Sequence, residues 1–123
     1  MIERGKEKYF LLFLLLLFSI SCTYSNDTLN PDTSSINKIL RNAKIALDSN
    51  KLFESFKLSK SALSLSNKLD YKDGLAASLY YIGVIQSASG SKDSAITTFR
   101  KSLDIYKVID NQLYVGNTLY KIG

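Results

Sequence analysis

Residues 76–109, AASLYYIGVIQSASGSKDSAITTFRKSLDIYKVI, decide how this chain folds. Apolar side chains recur at helical spacing on both sides of Ser89-Gly90-Ser91. Before the break stand Leu75, Leu79, Ile82, Gly83 and Ile85; after it stand Ala95, Ile96, Phe99, Leu103 and Tyr106. Gly90 can close a turn with positive φ, and Ser91 is a good N-cap for the second run. The spacing predicts a helix over about 74–89, a turn, and a helix over about 92–109.

The same pattern continues outward. Ile36, Ile39, Leu40, Ala43 and Leu47 share one helical face, with an N-cap at Ser34 or Ser35 and a stop at Asp48-Ser49-Asn50. A helix over about 52–69 follows, with Phe53, Phe56, Ala62, Leu63 and Leu69 expected to face inward. Asp70 to Gly74 read as a turn and restart, and Asp110-Asn111 interrupt again before a fifth helix. Sliding the chain against itself by 40 residues superimposes Ile39, Leu79 and Leu119, and also Ala43, Gly83 and Gly123. Tyr80 meets Tyr120, Leu63 meets Leu103, and Asp70 meets Asp110, with no gap. A fixed period of helix-turn-helix content means an all-α chain of stacked helix pairs.

Within 76–109 the residues resemble the tetratricopeptide repeat family. Its motif asks for a large residue and then Leu-Gly in the first helix, a turn Gly, and Ala, an aromatic and a small residue in the second. Leu79, Ile82-Gly83, Gly90, Ala95, Phe99 and Ser102 stand at those mutual spacings. Gly83 lets two helices approach, Ala95 and Ser102 leave room for a neighbour, and Phe99 fills the space within the pair. The preceding unit is more degenerate, with Ala43, Asn50, Ser55, Ser59 and Ala62 at matching places. The resemblance covers about 35–123 and implies a short tetratricopeptide-like α-solenoid that binds a protein or peptide partner.

Stacks of this kind present their first helices along a concave surface. By phase, that surface receives Asn37, Leu40 and Lys44, then Tyr80, Val84 and Ser87, then Asn117 and Tyr120. Asn37, Lys44, Tyr80, Ser87, Asn117 and Tyr120 are therefore the candidate partner contacts. The basic clamp that some members use for peptide carboxylates is not expected, because Leu40, Tyr80 and Val84 occupy its places.

Composition narrows the function classes. The chain has no His and one Cys, which removes Ser-His-Asp and Cys-His catalysis, His-containing metal sites and any internal disulfide. Asp48, Glu54, Asp70, Asp73, Asp93, Asp104 and Asp110 fall at helix ends or solvent faces, where capping explains them, and no phosphate loop occurs. No catalytic residue, metal or cofactor is expected. Arg4, Lys6 and Lys8 against Glu3 and Glu7 belong to the first segment, leaving thirteen basic and nine acidic residues over 22–123, a net +4. These charges are scattered, so no nucleic-acid partner is signalled.

Residues 1–8 are polar and weakly basic, and Tyr9 to Ile20 are almost wholly apolar before the small Ser21. These are the three regions of a secretory signal, and about a dozen apolar residues fall short of the ~20 a spanning helix needs. Ser19-Ile20-Ser21-Cys22 resembles the lipobox of bacterial lipoproteins, in which the Cys is diacylated; Ser19 stands where the common pattern has Leu. Cleavage after Ser21 without lipid, and an uncleaved anchor, are the alternatives. The expected organisation is a signal peptide over 1–21, lipidated Cys22 with a flexible tether over 22–34, and repeats over 35–123. The repeats divide at about 36–75 and 76–115, with an incomplete unit over 116–123. The implied location is the cell envelope.

The chain ends partway into a third repeat and leaves an apolar end face. Either it is a fragment of a longer protein, or that face docks, for instance on a second copy. Longer proteins that this architecture resembles include bacterial sensor kinases and transcription regulators. The alternatives to an anchored binding module are therefore a sensor region of such a protein or a self-assembling envelope protein.

Overall fold

Four left-handed turn residues set the architecture: Asn50 (φ 58°), Asp70 (φ 52°), Gly90 (φ 86°) and Asp110 (φ 57°). They are spaced by 20 residues, half the sequence repeat, so every helix and its turn occupy one register. The computed structural model describes residues 31–123, with side chains from Thr33 onward. The expected signal peptide, Cys22 and the first part of the tether lie outside the described residues. The elements are α1 (Pro31–Asp48), α2 (Leu52–Leu69), α3 (Lys72–Ala88), α4 (Lys92–Val108) and α5 (Gln112–Ile122).

Each turn closes by the same pair of backbone bonds. The amide of the left-handed residue donates three positions back: Asn50 to Leu47, Asp70 to Asn67, Gly90 to Ser87 and Asp110 to Lys107. The next amide donates five positions back: Lys51 to Ala46, Tyr71 to Ser66, Ser91 to Gln86 and Asn111 to Tyr106, at 2.8–3.0 Å. This is the Schellman arrangement, which satisfies carbonyls at a helix C-terminus. The second residue of each turn then caps the next helix through its own carbonyl, which accepts from Ser55, Leu75, Ala95 and Val115 respectively. Ser91 thus starts α4, but its side chain makes no capping bond.

Only Gly adopts positive φ without a steric cost, while Asn and Asp pay part of it. Asp70→Gly is therefore expected to raise stability by about 0.5–1 kcal/mol, and Gly90→Ala to lower it by about 1 kcal/mol. Urea midpoints that move in these opposite directions would check the assignment.

Two starts differ from the sequence expectation. α1 begins at Pro31 rather than after a cap at Ser34 or Ser35. A proline is tolerated there because its missing N–H has no partner in the first turn. α3 begins at Lys72, so Gly74 lies inside the helix and not in a turn. A Cβ on Gly74 would stand 2.3 Å from Ser66 Oγ and 2.6 Å from Tyr71 Cδ1. Gly74 is needed for close approach of α2 and α3.

The buried face of α2 is also a correction. Phe53, expected inward, is 78% exposed, and Phe56, Leu63 and Leu69 are half-buried. The face that is buried carries Ser55, Ser59, Ala62 and Ser66, all at 0% exposure. Small side chains let the backbones close in, and Ser55 Oγ donates to the Ala43 carbonyl at 2.8 Å. In the second pair Ile82, Gly83 and Ile85 of α3 and Ala95, Phe99, Leu103 and Tyr106 of α4 are buried as expected, while Leu75, Leu79 and Ile96 are half-buried. Ser102 Oγ donates to the Ala76 carbonyl at 2.8 Å, bringing these helices close at a second point. Ile36, Leu40 and Ala62 form a core cluster, flanked by Ile39, Leu69, Tyr71, Ala77 and Tyr81, that ties α1 and α2 to α3. The result is an all-α stack of helix pairs, a short α-solenoid, in which α3 packs between α2 and α4 and α5 packs on α4.

Candidate functional site

The first helices of successive pairs line a groove of about 370 Å³. α1 supplies Asn37, Leu40, Arg41 and Lys44; α3 supplies Asp73, Ala77 and Tyr81; α5 supplies Tyr114. Tyr106 of α4 and Asn111 of the last turn close its floor and end. Spacings of three, four and seven on α1, and of four and eight on α3, are what one helical stripe requires.

Three internal contacts shape the wall. Tyr106 and Tyr114 stack with ring centroids 4.9 Å apart and planes 13° apart. Tyr80 meets Tyr81, Phe99 and Tyr114 edge-on or tilted at 5.9, 5.8 and 6.3 Å. Tyr71 Oη donates to Asn37 Oδ1 at 3.2 Å, joining the start of α3 to α1.

These bonds bias the groove toward hydrogen-bond donation. The Asn37 carbonyl is occupied by Tyr71, and the Asn111 carbonyl accepts from the Tyr114 amide at 3.4 Å. Both side-chain amides keep their N–H groups for a ligand. Burial first, and then the neighbouring Tyr114, push the Tyr81 phenol up to about 12, and the same causes raise Tyr106 further and Tyr80 as well. All three phenols stay protonated as donors at neutral pH. Lys44 Nζ pairs with Asp48 Oδ2 at 2.7 Å, and that hydrogen bond raises its pKa. Neither ion pair between described residues involves Arg41, so its guanidinium faces the groove uncommitted to a described carboxylate. Asp73 is the one carboxylate among the lining residues.

The candidate contacts divide. Asn37 and Lys44 lie in the groove, together with Leu40. Tyr80 is half-buried behind the wall, packed on Phe99. Ser87 is exposed near the end of α3, and Asn117 and Tyr120 are exposed on α5, none of them lining the groove. Arg41, Tyr81, Tyr106, Asn111 and Tyr114 are not among the partner contacts expected from sequence, which placed Tyr106 on an apolar helix face and Asn111 in a turn. The 40-residue shift does superimpose Arg41 on Tyr81 and Asn37 on Ala77; the groove runs one residue further round the helices than the phase built on Leu40 and Tyr80. No group of metal-ligating side chains occurs among the described residues, and no described helix is long and apolar enough to cross a membrane.

Stacked helix pairs with a concave, donor-rich groove define a repeat scaffold of the kind that holds proteins or peptides. The sequence profile of the tetratricopeptide repeat family matches residues 35–107, more than half of the chain, and the chain belongs to that family. No curated protein and no solved structure matches it. Members of the family generally act as protein-interaction modules and not as catalysts.

Proposed function

We propose that this chain is an exported, membrane-anchored module of the cell envelope whose groove holds an extended segment of a protein partner. The observation that supports this most is the joining of Asn37, Arg41 and Lys44 to Tyr81 and Tyr114 in one groove. Cationic and amide donors on one side suit backbone carbonyls and carboxylates, and the tyrosines on the other suit apolar or planar side chains. Anchoring rests on the apolar stretch that ends at Cys22.

A random peptide library displayed on phage provides the test. Enriched peptides should contain acidic residues and should bind Arg41→Glu at least tenfold more weakly than wild type. Binding to Ser87→Ala should not change. Arg41 is exposed, so the helix content of the variant should match wild type by circular dichroism. Equal binding to wild type and Arg41→Glu would remove the groove from the function.

A further inference from the structure

The groove holds two opposite charges that no described residue neutralises. Arg41 of α1 and Asp73 of α3 both line it, and neither enters an ion pair between described residues. Lys44, the third charged lining residue, is already held by Asp48 at 2.7 Å. A ligand therefore meets one positive and one negative side chain that do not pair with each other.

A carboxylate in the first turn of a helix has an ordinary explanation, because it interacts favourably with the helix N-terminus. Glu54 of α2 and Asp93 of α4 occupy that position too. Those two do not line the groove, and Glu54 has Lys51 beside it at 3.8 Å. Asp73 does line it, and its charge reaches the floor. After burial, Tyr114 and Tyr81, Asp73 is among the causes that raise the Tyr106 phenol.

The two charges sit at different heights. Tyr71, just before α3, donates to Asn37, which sets the start of α3 at the Asn37 end of the groove. Arg41 lies one turn beyond Asn37 on α1 and shares the repeat register of Tyr81. Tyr81 is eight residues along α3 from Asp73, a rise of ~12 Å. An extended segment covers ~3.3 Å per residue, so about four residues bridge that distance. Its side chains alternate faces, so residues i and i+4 point the same way, with i+2 between them. The middle of the groove offers Leu40, Ala77 and the tyrosine rings, which suit an apolar side chain.

We propose that the groove selects segments carrying a basic and an acidic residue four positions apart, with an apolar residue midway. Asp73 takes the basic side chain and Arg41 the acidic one. This inference rests on the groove reading and names the partner chemistry within it. Asp73 also repels a second acidic residue, so it turns a donor-rich groove away from polyacidic segments.

The test selects one phage-displayed peptide library on the full chain in detergent micelles and on its Asp73→Lys variant. Peptides enriched on wild type should pair Lys or Arg with Asp or Glu at i and i+4, in either order. Selection on Asp73→Lys should drop the basic residue and enrich a second acidic one in its place. Synthetic versions of the wild-type peptides should bind Asp73→Asn at least fivefold more weakly. Exchanging their basic residue for Glu should weaken binding to wild type at least tenfold. Asp93→Asn loses the same helix-terminal interaction outside the groove and should bind as wild type does. Asp73 is exposed, so circular dichroism of its variants should match wild type. Peptides that need Arg41 but bind Asp73→Asn unchanged would overturn this inference and leave the groove reading standing. Peptides indifferent to Arg41 and Asp73 alike, or no enrichment at all, would defeat both.

Discussion

Replacing Phe99 with alanine is expected to lower the unfolding free energy by about 3–5 kcal/mol, a large share of the ~5–15 kcal/mol typical of a domain. The ring is 2% exposed and fills the space left by Gly83, whose added Cβ would stand 2.7 Å from Phe99 Cε1. Tyr80 packs on its other side at 5.8 Å and is itself held against Tyr81 and Tyr114. A cavity at Phe99 could collapse only by moving that tyrosine cluster, so little of the loss should be recovered. Overpacking from the opposite direction, by Gly83→Ala, should cost about 1–3 kcal/mol. The two sites touch, so their effects should not add: Gly83→Ala in the Phe99→Ala background should be nearly neutral or stabilising. Urea denaturation followed by circular dichroism measures all four corners of this cycle. Additive costs, or a loss below about 1 kcal/mol for Phe99→Ala, would mean that the α3–α4 contact lies elsewhere.

That contact was readable in the sequence, and the reason is geometric. A large aromatic opposite a glycine is a pair of volumes that must match, and fixed spacing carries it from one helix to the next. The family motif over 76–109 states that match directly. The C-terminal ends of the helices were legible for a related reason: Asn50, Asp70, Gly90 and Asp110 are residue types that tolerate positive φ, and they recur every 20 residues. The inner face of α2 was not legible, because five serines among its 18 residues give hydropathy little to read. Apolar periodicity pointed to Phe53, while the helix buries the small face 55, 59, 62 and 66 to bring backbones together. Serine can be a core residue when volume decides and a carbonyl is near, as Ala43 is for Ser55. The groove was half legible. Lys44, Asn37 and Leu40 followed from the choice of the first helices, but Tyr80 is half-buried outside the groove, and the phase that picked it missed Arg41 and Tyr81 by one position. Tyr106 and Asn111 belong to the second helix and to a turn, which a rule about first helices does not sample.

The other large effect concerns Cys22, which lies outside the described residues. If the proposed lipid anchor is real, Cys22→Ala should move the protein from wholly membrane-bound to wholly released, with loss of radiolabelled palmitate. The size of this effect follows from acyl-chain arithmetic. At ~0.8 kcal/mol per buried CH₂, one chain gives only marginal membrane binding, but two hold a protein stably. Nothing in the described helices compensates, since none is long and apolar enough to span a bilayer. Weak surface attraction would remain as the only other term, because 22–123 carries a net +4 scattered over a domain of this size. The folded part should not notice the change: the helix content and urea midpoint of Cys22→Ala should equal those of wild type. Palmitate labelling and sedimentation after carbonate washing separate the three fates of the leader. Labelled, membrane-bound wild type with an unlabelled, soluble variant supports the anchor. Unlabelled, soluble wild type means ordinary cleavage after Ser21. Retention of Cys22→Ala in the carbonate-washed membrane would instead mean that the apolar stretch from Tyr9 to Ile20, about a dozen residues, stays embedded without cleavage. Only the first outcome leaves Cys22 with a chemical role.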